Sequence, residues 1–189
     1  MQVVEAAIEG PSFPMQLLAL VSVLVMIAVS VLTGKKTAEV SKKFSLIVTP
    51  PGPFFAIWGV IYLGLIVIGL YCRVQPVWSN SMILLFALGN ILNSIWVVVF
   101  STGTVAGLNL CLFLGFNMAV VNNFLWFQTT EIETGTFWDT LNSNIIAFYQ
   151  GWLIDAGNLS LGLVLVYWAG VSKKMQAYFF WVVAPLTII

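Results

Sequence analysis

Long apolar runs, each interrupted by charges, glycine or proline, set the rhythm of this chain. The first, "MQLLALVSVLVMIAVSVLT" over residues 15–33, stops at Gly34 and a pair of lysines. Four more follow at about 53–72, 81–100, 104–127 and 144–169. As helices rising 1.5 Å per residue, each covers about 30 Å, the thickness of a bilayer's hydrocarbon core. A sixth run, "AYFFWVVAPLTII", holds 13 residues. It reaches roughly 20 Å and cannot cross alone. The pattern predicts an all-α integral membrane protein: an acidic segment over 1–14, a five-transmembrane-helix bundle over 15–169, and a basic loop with a short partial sixth helix over 170–189.

The polar connections add sidedness. With five crossings, Lys35, Lys36, Lys42, Lys43, Lys173 and Lys174 fall on one side, and Arg73 alone on the other. Glu5, Glu9, Glu131, Glu133 and Asp139 join Arg73. Such an excess of lysine in short loops marks the cytoplasmic or matrix side, with the N-terminus opposite. "STGT" at 101–104 makes the third and fourth helices antiparallel neighbours. "QTTEIETGTFWDTLN" at 128–142 reads as a short structured cap on the acidic side. The N-terminal segment, with two glutamates and no basic residue, resembles neither a secretory leader nor a transit peptide.

Composition agrees with the membrane assignment: 60% of residues are apolar, 7% are charged and the mean hydropathy is +1.02. A soluble domain carries about 25% charged residues. Net charge is zero and no basic patch is present, which excludes nucleic acid as a partner. Histidine is absent, removing the commonest metal ligand and general base. Cys72 and Cys111 lack paired spacing and read as small apolar residues. No cofactor, no metal and no enzymatic activity are expected, since no nucleophile–base pair, metal set or phosphate loop is visible.

Candidate functional residues lie on helix faces. Phe55, Trp58 and Tyr62 share a face of the second helix, entered through Pro50, Pro51 and Pro53. Asn90, Asn93, Trp96 and Phe100 form a stripe on the third. Tyr149, Trp152 and Ala156 align on the fifth, with Asp155 one turn from Trp152. The asparagines also fit the role of interhelical glue. Trp78, Trp126, Trp138 and Trp168 suit interfacial anchors, whereas Trp58, Trp96 and Trp152 lie inside their spans and are expected to converge on the bundle's centre, because an indole N–H in hydrocarbon needs a partner. Asp155 is the one ionisable residue inside an expected span. It reads either as a functional carboxylate or as a brace for Asn158 or a neighbouring helix.

These motifs resemble the TspO/MBR family of translocator and tryptophan-rich sensory proteins, in its longer form. "TPPGPFFAIWGVIY" is similar to the second-helix signature through Thr49, Pro50, Gly52, Phe55, Trp58, Gly59 and Tyr62, and "GKKTAEVSKKFSLIVTP" to the first loop. "LNSIWVVVF" matches the third-helix pattern through Leu92, Asn93, Trp96 and Phe100, and "FYQGWLIDA" the fifth through Tyr149, Gly151, Trp152 and Ala156. The resemblance implies a five-helix bundle, often dimeric, whose interhelical pocket opens near the first loop. It also implies porphyrin, sterol or synthetic aromatic ligands and, for several eukaryotic members, a mitochondrial membrane. Phe55, Trp58, Tyr62, Asn93, Trp96, Tyr149, Trp152 and Asp155 form the expected ligand-binding set.

Departures touch the same wall. Phe148 stands where proline is usual, Ser160 where asparagine is expected, and Asp155 where a small or apolar residue is usual. A sterol-type pattern, Leu163, Tyr167 and Lys173, ends the fifth helix, where an aromatic beside a terminal lysine is also ordinary snorkelling. The leading expectation is a pocket for a flat apolar ligand, porphyrin- or sterol-like. The alternative is a structural accessory subunit of a larger membrane complex, of respiratory type, using the same fold without ligand turnover. A proton-coupled carrier working through Asp155 is the weakest reading, for want of an internal repeat and broken helices.

Overall fold

In a computed structural model, which describes residues 11–74, 78–132 and 136–183, apolar runs become helices and no strand forms among the described residues. The helices are α1 (Phe13–Lys43), α2 (Ile57–Val74), α3 (Asn80–Phe100), α4 (Val105–Thr130), α5 (Phe137–Tyr167) and α6 (Lys173–Val183). A 3-10 helix, Gly52–Ala56, leads into α2. Side-chain oxygens fix three starts by accepting a backbone N–H: Ser79 from Met82, Thr104 from Gly107 and Thr136 from Asp139. Each satisfies a donor that a helix's first turn leaves orphaned, which matters more in lipid, where water cannot substitute.

Around the bundle, α2 packs on α1, α1 on α3, α3 on α4 and α4 on α5, and α2 and α5 close the ring with a much sparser contact. Small and polar residues tie the dense interfaces. Asn90 Nδ2 donates to Ser22 Oγ at 3.0 Å and Asn93 Nδ2 to Met26 Sδ at 3.0 Å, joining α3 to α1. Asn122 Nδ2 donates to Gln150 Oε1 at 3.0 Å, joining α4 to α5. One apolar core gathers Val23, Ile61, Leu65, Ile83, Phe86 and Ile146. A second, at the lysine-bearing end, gathers Val40, Phe44, Phe100, Leu108 and Leu163. The outer surface remains apolar, with Leu32, Leu63, Phe113, Phe116 and Phe124 exposed, as a lipid-facing surface requires.

Helices α1, α2 with its 3-10 lead, α3 and α4 are each long and apolar enough to cross a membrane. α5 has the length, 31 residues or about 46 Å. Its apolarity is diluted by Asn142, Gln150, Asp155, Asn158 and Ser160. Asn142, Gln150 and Ser160 are buried against the bundle, so α5 stands as the fifth long helix with its polar groups drawn mostly inward.

Three sequence expectations need correction. The first helix does not end at Gly34; it runs on to Lys43. Thr33 and Thr37 bond back to the carbonyls of Val29 and Thr33 at 2.7 and 3.1 Å, and Val40 is held in the second core, so tertiary contact outweighs one interior glycine. The fifth helix begins at Phe137, seven residues before the expected 144, because Thr136 caps it inside the supposed loop. Trp78 is no interfacial anchor: it is 2% exposed and meets Phe86 edge-on at 5.6 Å. Trp126, Trp138 and Trp168 are exposed. The expected sixth run extends over residues 184–189, which lie outside the described residues; α6 itself takes in Lys173 and Lys174.

Candidate functional site: the seam between α2 and α5

The sparse contact between α2 and α5 is not uniform along its length. At the acidic end, Tyr71 Oη donates to Asp139 Oδ1 at 2.8 Å, and the Thr136 hydroxyl donates to the other carboxylate oxygen. The Trp138 ring stacks on Tyr71 with centroids 6.2 Å apart. Midway, Gly64 lets the helices touch: a Cβ there would stand 2.8 Å from Ile145 Cγ2. Beyond it the seam splays. A Cβ on Gly59 or on Gly151 would meet nothing within 4 Å.

Aromatic rings occupy the splayed half. Trp58 meets Trp152 edge-on at 5.7 Å and Tyr149 edge-on at 6.4 Å, lies tilted against Tyr62 at 5.4 Å, and Phe55 approaches Trp152 edge-on at 6.5 Å. Edge-to-face pairs of this kind are favourable through the ring quadrupoles. The sequence spacing explains the gathering: 55, 58 and 62 share one face of α2 and its lead, and 149 and 152 one face of α5.

Some polar atoms among these rings make no well-formed hydrogen bond among the described residues. Tyr149 is 3% exposed, and its Oη makes no well-formed hydrogen bond among the described residues, although the Asn93 side chain lies close enough to act on it. Asn93 Oδ1 and Trp152 Nε1 likewise make none. Buried polar groups are nearly always paired, and an unpaired one costs about 1–3 kcal/mol. Two in one aromatic cluster, Tyr149 Oη and Trp152 Nε1, with Asn93 beside the first, mark a place where a guest's polar groups could be met.

The expected set is therefore brought together in part. Phe55, Trp58, Tyr62, Tyr149 and Trp152 form one cluster, with Asn93 buried beneath the same core. Trp96 turns inward too, but toward α4: it stacks flat on Phe100 at 5.1 Å, its carbonyl accepts from Cys111 Sγ at 3.6 Å, and Gly115 faces its indole nitrogen. It bridges the two cores instead of joining the other tryptophans. Asp155 is exposed and faces away from the interior. It lines an open cleft of about 360 Å³ between α2 and α5, together with Ile57, Ala147, Phe148, Gly151 and Trp152. Ile57, Ala147, Phe148 and Gly151 were not among the expected site residues. Residues 147, 151 and 155 repeat every four positions; of these the sequence singles out Asp155 as a candidate and Gly151 as a motif position, and only Ala147 carries no signal of its own.

The sequence model of the TSPO-like protein family matches residues 15–189. The chain belongs to the TSPO-like family. No curated protein and no solved structure matches it. Within this TSPO-like bundle the splayed seam opens beside the first loop. There Tyr167 Oη donates to the Ser45 carbonyl at 2.9 Å, its ring meets Phe44 edge-on at 5.0 Å, and Lys173 Nζ lies 5.6 Å from its centroid. In the sterol-type pattern, Tyr167 is thus committed to holding the first loop against α5. Among the described residues no group of three His, Cys, Asp or Glu is placed to hold a metal, and Cys72 and Cys111 are buried thiols.

Proposed function

We propose that this TSPO-like membrane protein binds a flat, apolar molecule, porphyrin- or sterol-like, in the splayed half of the α2–α5 seam. The observation that carries the reading is the coincidence of rigid rings from two helices with buried polar atoms, Tyr149 Oη beside Asn93 and Trp152 Nε1, that make no well-formed hydrogen bond among the described residues. Ligand sites are mostly apolar and aromatic, with few polar groups setting orientation. The reading is of binding without turnover. By the lysine excess and the family resemblance, the splayed end faces the cytoplasm or matrix, and a mitochondrial membrane is the proposed location.

Titration of the purified protein with protoporphyrin, followed by tryptophan fluorescence, tests it. Saturable quenching is expected, with affinity reduced about tenfold or more in Trp58→Phe and Trp152→Phe, in keeping with aromatic contributions of 0.5–1.5 kcal/mol each plus lost area. Quenching that never saturates, or that is indifferent to both substitutions, counts against the site.

One feature favours a second reading, an accessory subunit of a larger membrane assembly, as against a free homodimer. Among the described residues α6 runs over Lys173–Val183 and leaves Tyr178 and Trp181 74% and 73% exposed. Exposed aromatics on this helix suit contact with another chain. Native electrophoresis in mild detergent separates the two: migration as monomer or dimer removes the subunit reading, and co-migration with a large complex supports it.

A further inference from the structure

Two spaces adjoin Trp152, and they differ in chemistry. Toward the interior its indole meets Trp58 and Phe55. Toward lipid it lines the open cleft, whose other walls are Ile57, Ala147, Phe148, Gly151 and Asp155. That second space is apolar except for one carboxylate. No hydrogen-bond donor or cation among the described residues reaches it.

A carboxylate within a membrane-spanning helix is costly unless something pairs with it. Most such residues turn into the bundle; Asp155 turns out of it. In the antiparallel register set by Tyr71 with Asp139 and Trp58 with Trp152, it falls level with Phe55, beside the 3-10 lead into α2. A neutral ligand lodged in this cleft would strip water from the carboxylate and return nothing for it. An anionic ligand would be repelled. A ligand with a positively charged nitrogen gains twice: an ion pair with Asp155, and the indole of Trp152 one turn away for a cation–π contact. The cleft volume, about 360 Å³, lies at the low end of the range for small-molecule sites.

From this we infer that the α2–α5 cleft selects apolar molecules bearing a basic or quaternary nitrogen, with Asp155 as counter-ion and Trp152 as the aromatic wall. The inference rests on the reading of the seam as a ligand site and narrows its substrate class. Tetrapyrrole carboxylates, if such a ligand enters the seam, must point away from Asp155.

An isosteric pair separates the two levels of the argument. Naphthylmethyl-trimethylammonium and neopentylnaphthalene differ in a charged nitrogen against a neutral carbon. Binding of each is measured by equilibrium dialysis to the protein in lipid nanodiscs, with empty nanodiscs of the same lipid subtracted. The wild-type protein is expected to bind the cation at least about tenfold more tightly than the hydrocarbon. Asp155→Asn should bring the cation down to the hydrocarbon's affinity and leave the hydrocarbon unchanged, and Asp155→Glu should retain the preference. Because Asp155 accepts no hydrogen bond from the described residues, the Asn variant is expected to keep the helical circular dichroism of the wild type. Equal binding of the pair, or a preference that survives in Asp155→Asn, overturns the inference while the ligand site stands. Saturable binding of neither compound overturns the inference, and the site falls with it where protoporphyrin also fails to bind saturably.

Discussion

The two ends of the α2–α5 seam are built from the same materials and put them to opposite use. Each end brings a tyrosine, a tryptophan and an aspartate into a narrow space between two antiparallel helices. At the acidic end, Tyr71 donates to Asp139, Thr136 completes the carboxylate, and Trp138 stacks over the pair. At the lysine-bearing end, Tyr149 Oη and Trp152 Nε1 make no well-formed hydrogen bond among the described residues, and Asp155 stands apart in the cleft. Between them, Gly64 against Ile145 acts as the point of contact from which the helices diverge. Composition therefore does not distinguish structure from site. Hydrogen bonding of the tyrosine does: at the closed end Tyr71 is paired with Asp139, although Asn142 one turn on has both amide atoms unpartnered among the described residues, and at the open end Tyr149 Oη makes no well-formed hydrogen bond.

The strongest way to break this contrast is to disable the closed end. Asp139→Ala removes the acceptor of a buried tyrosine hydroxyl and an acidic group from the first turn of α5. Leaving the Tyr71 donor unpaired and weakening the helix start together cost about 3 kcal/mol. Thermal unfolding in detergent, read by circular dichroism, should show a clear loss of stability. Protoporphyrin affinity of the protein that stays folded should change little. A large loss of affinity with unchanged stability would make the acidic end part of the site.

The glycines give a graded test of the divergence. Gly64→Ala places a methyl 2.8 Å from Ile145 Cγ2, so either the branched side chain or the helix must move. Overpacking of this kind costs about 1–3 kcal/mol, and close approach through small residues is a main source of helix association in lipid. Gly59→Ala, with nothing within 4 Å of the added carbon, should leave stability within about 0.5 kcal/mol of wild type, since an unopposed surface change does little. Equal effects at the two glycines would mean that the seam does not splay.

How much of this was legible beforehand follows from what kind of residue carries each feature. Apolar runs announced the helices, because lipid leaves the backbone few alternatives. Helix ends were harder: Gly34 looked like a stop, and the second core at Val40 that overrides it is tertiary. Phe55, Trp58, Tyr62, Tyr149 and Trp152 were legible because large rings at three- and four-residue spacing can only share a face. Trp96 obeyed the same rule, yet its face turns toward α4, a matter of helix rotation that spacing alone does not contain. The cleft was the least legible part. Its shape owes much to Ala147 and Gly151, residues whose contribution is the side chain they lack. The Tyr71–Asp139 pair joins positions 68 apart in sequence, and nothing local marks either as the other's partner.

The tyrosine pair is the sharpest comparison, because it removes the same atom from both ends. Tyr71→Phe deletes a hydroxyl that donates to Asp139 at 2.8 Å. It should cost about 1.5 kcal/mol, the range for a hydrogen bond to a charged acceptor. Tyr149→Phe deletes a hydroxyl that makes no well-formed hydrogen bond among the described residues, at a more deeply buried position. Relieved of an unsatisfied group, the apo protein should lose no stability, and a gain of a few tenths of a kcal/mol is in keeping with the desolvation argument. Melting curves of the two variants side by side, each with and without protoporphyrin, decide the matter. The expected pattern is a lower melting temperature for Tyr71→Phe with the ligand-induced increase intact, and an unchanged or higher one for Tyr149→Phe with that increase reduced. If Tyr149→Phe proves as damaging as Tyr71→Phe in the apo protein, its hydroxyl already serves the fold, and the open end is as structural as the closed one.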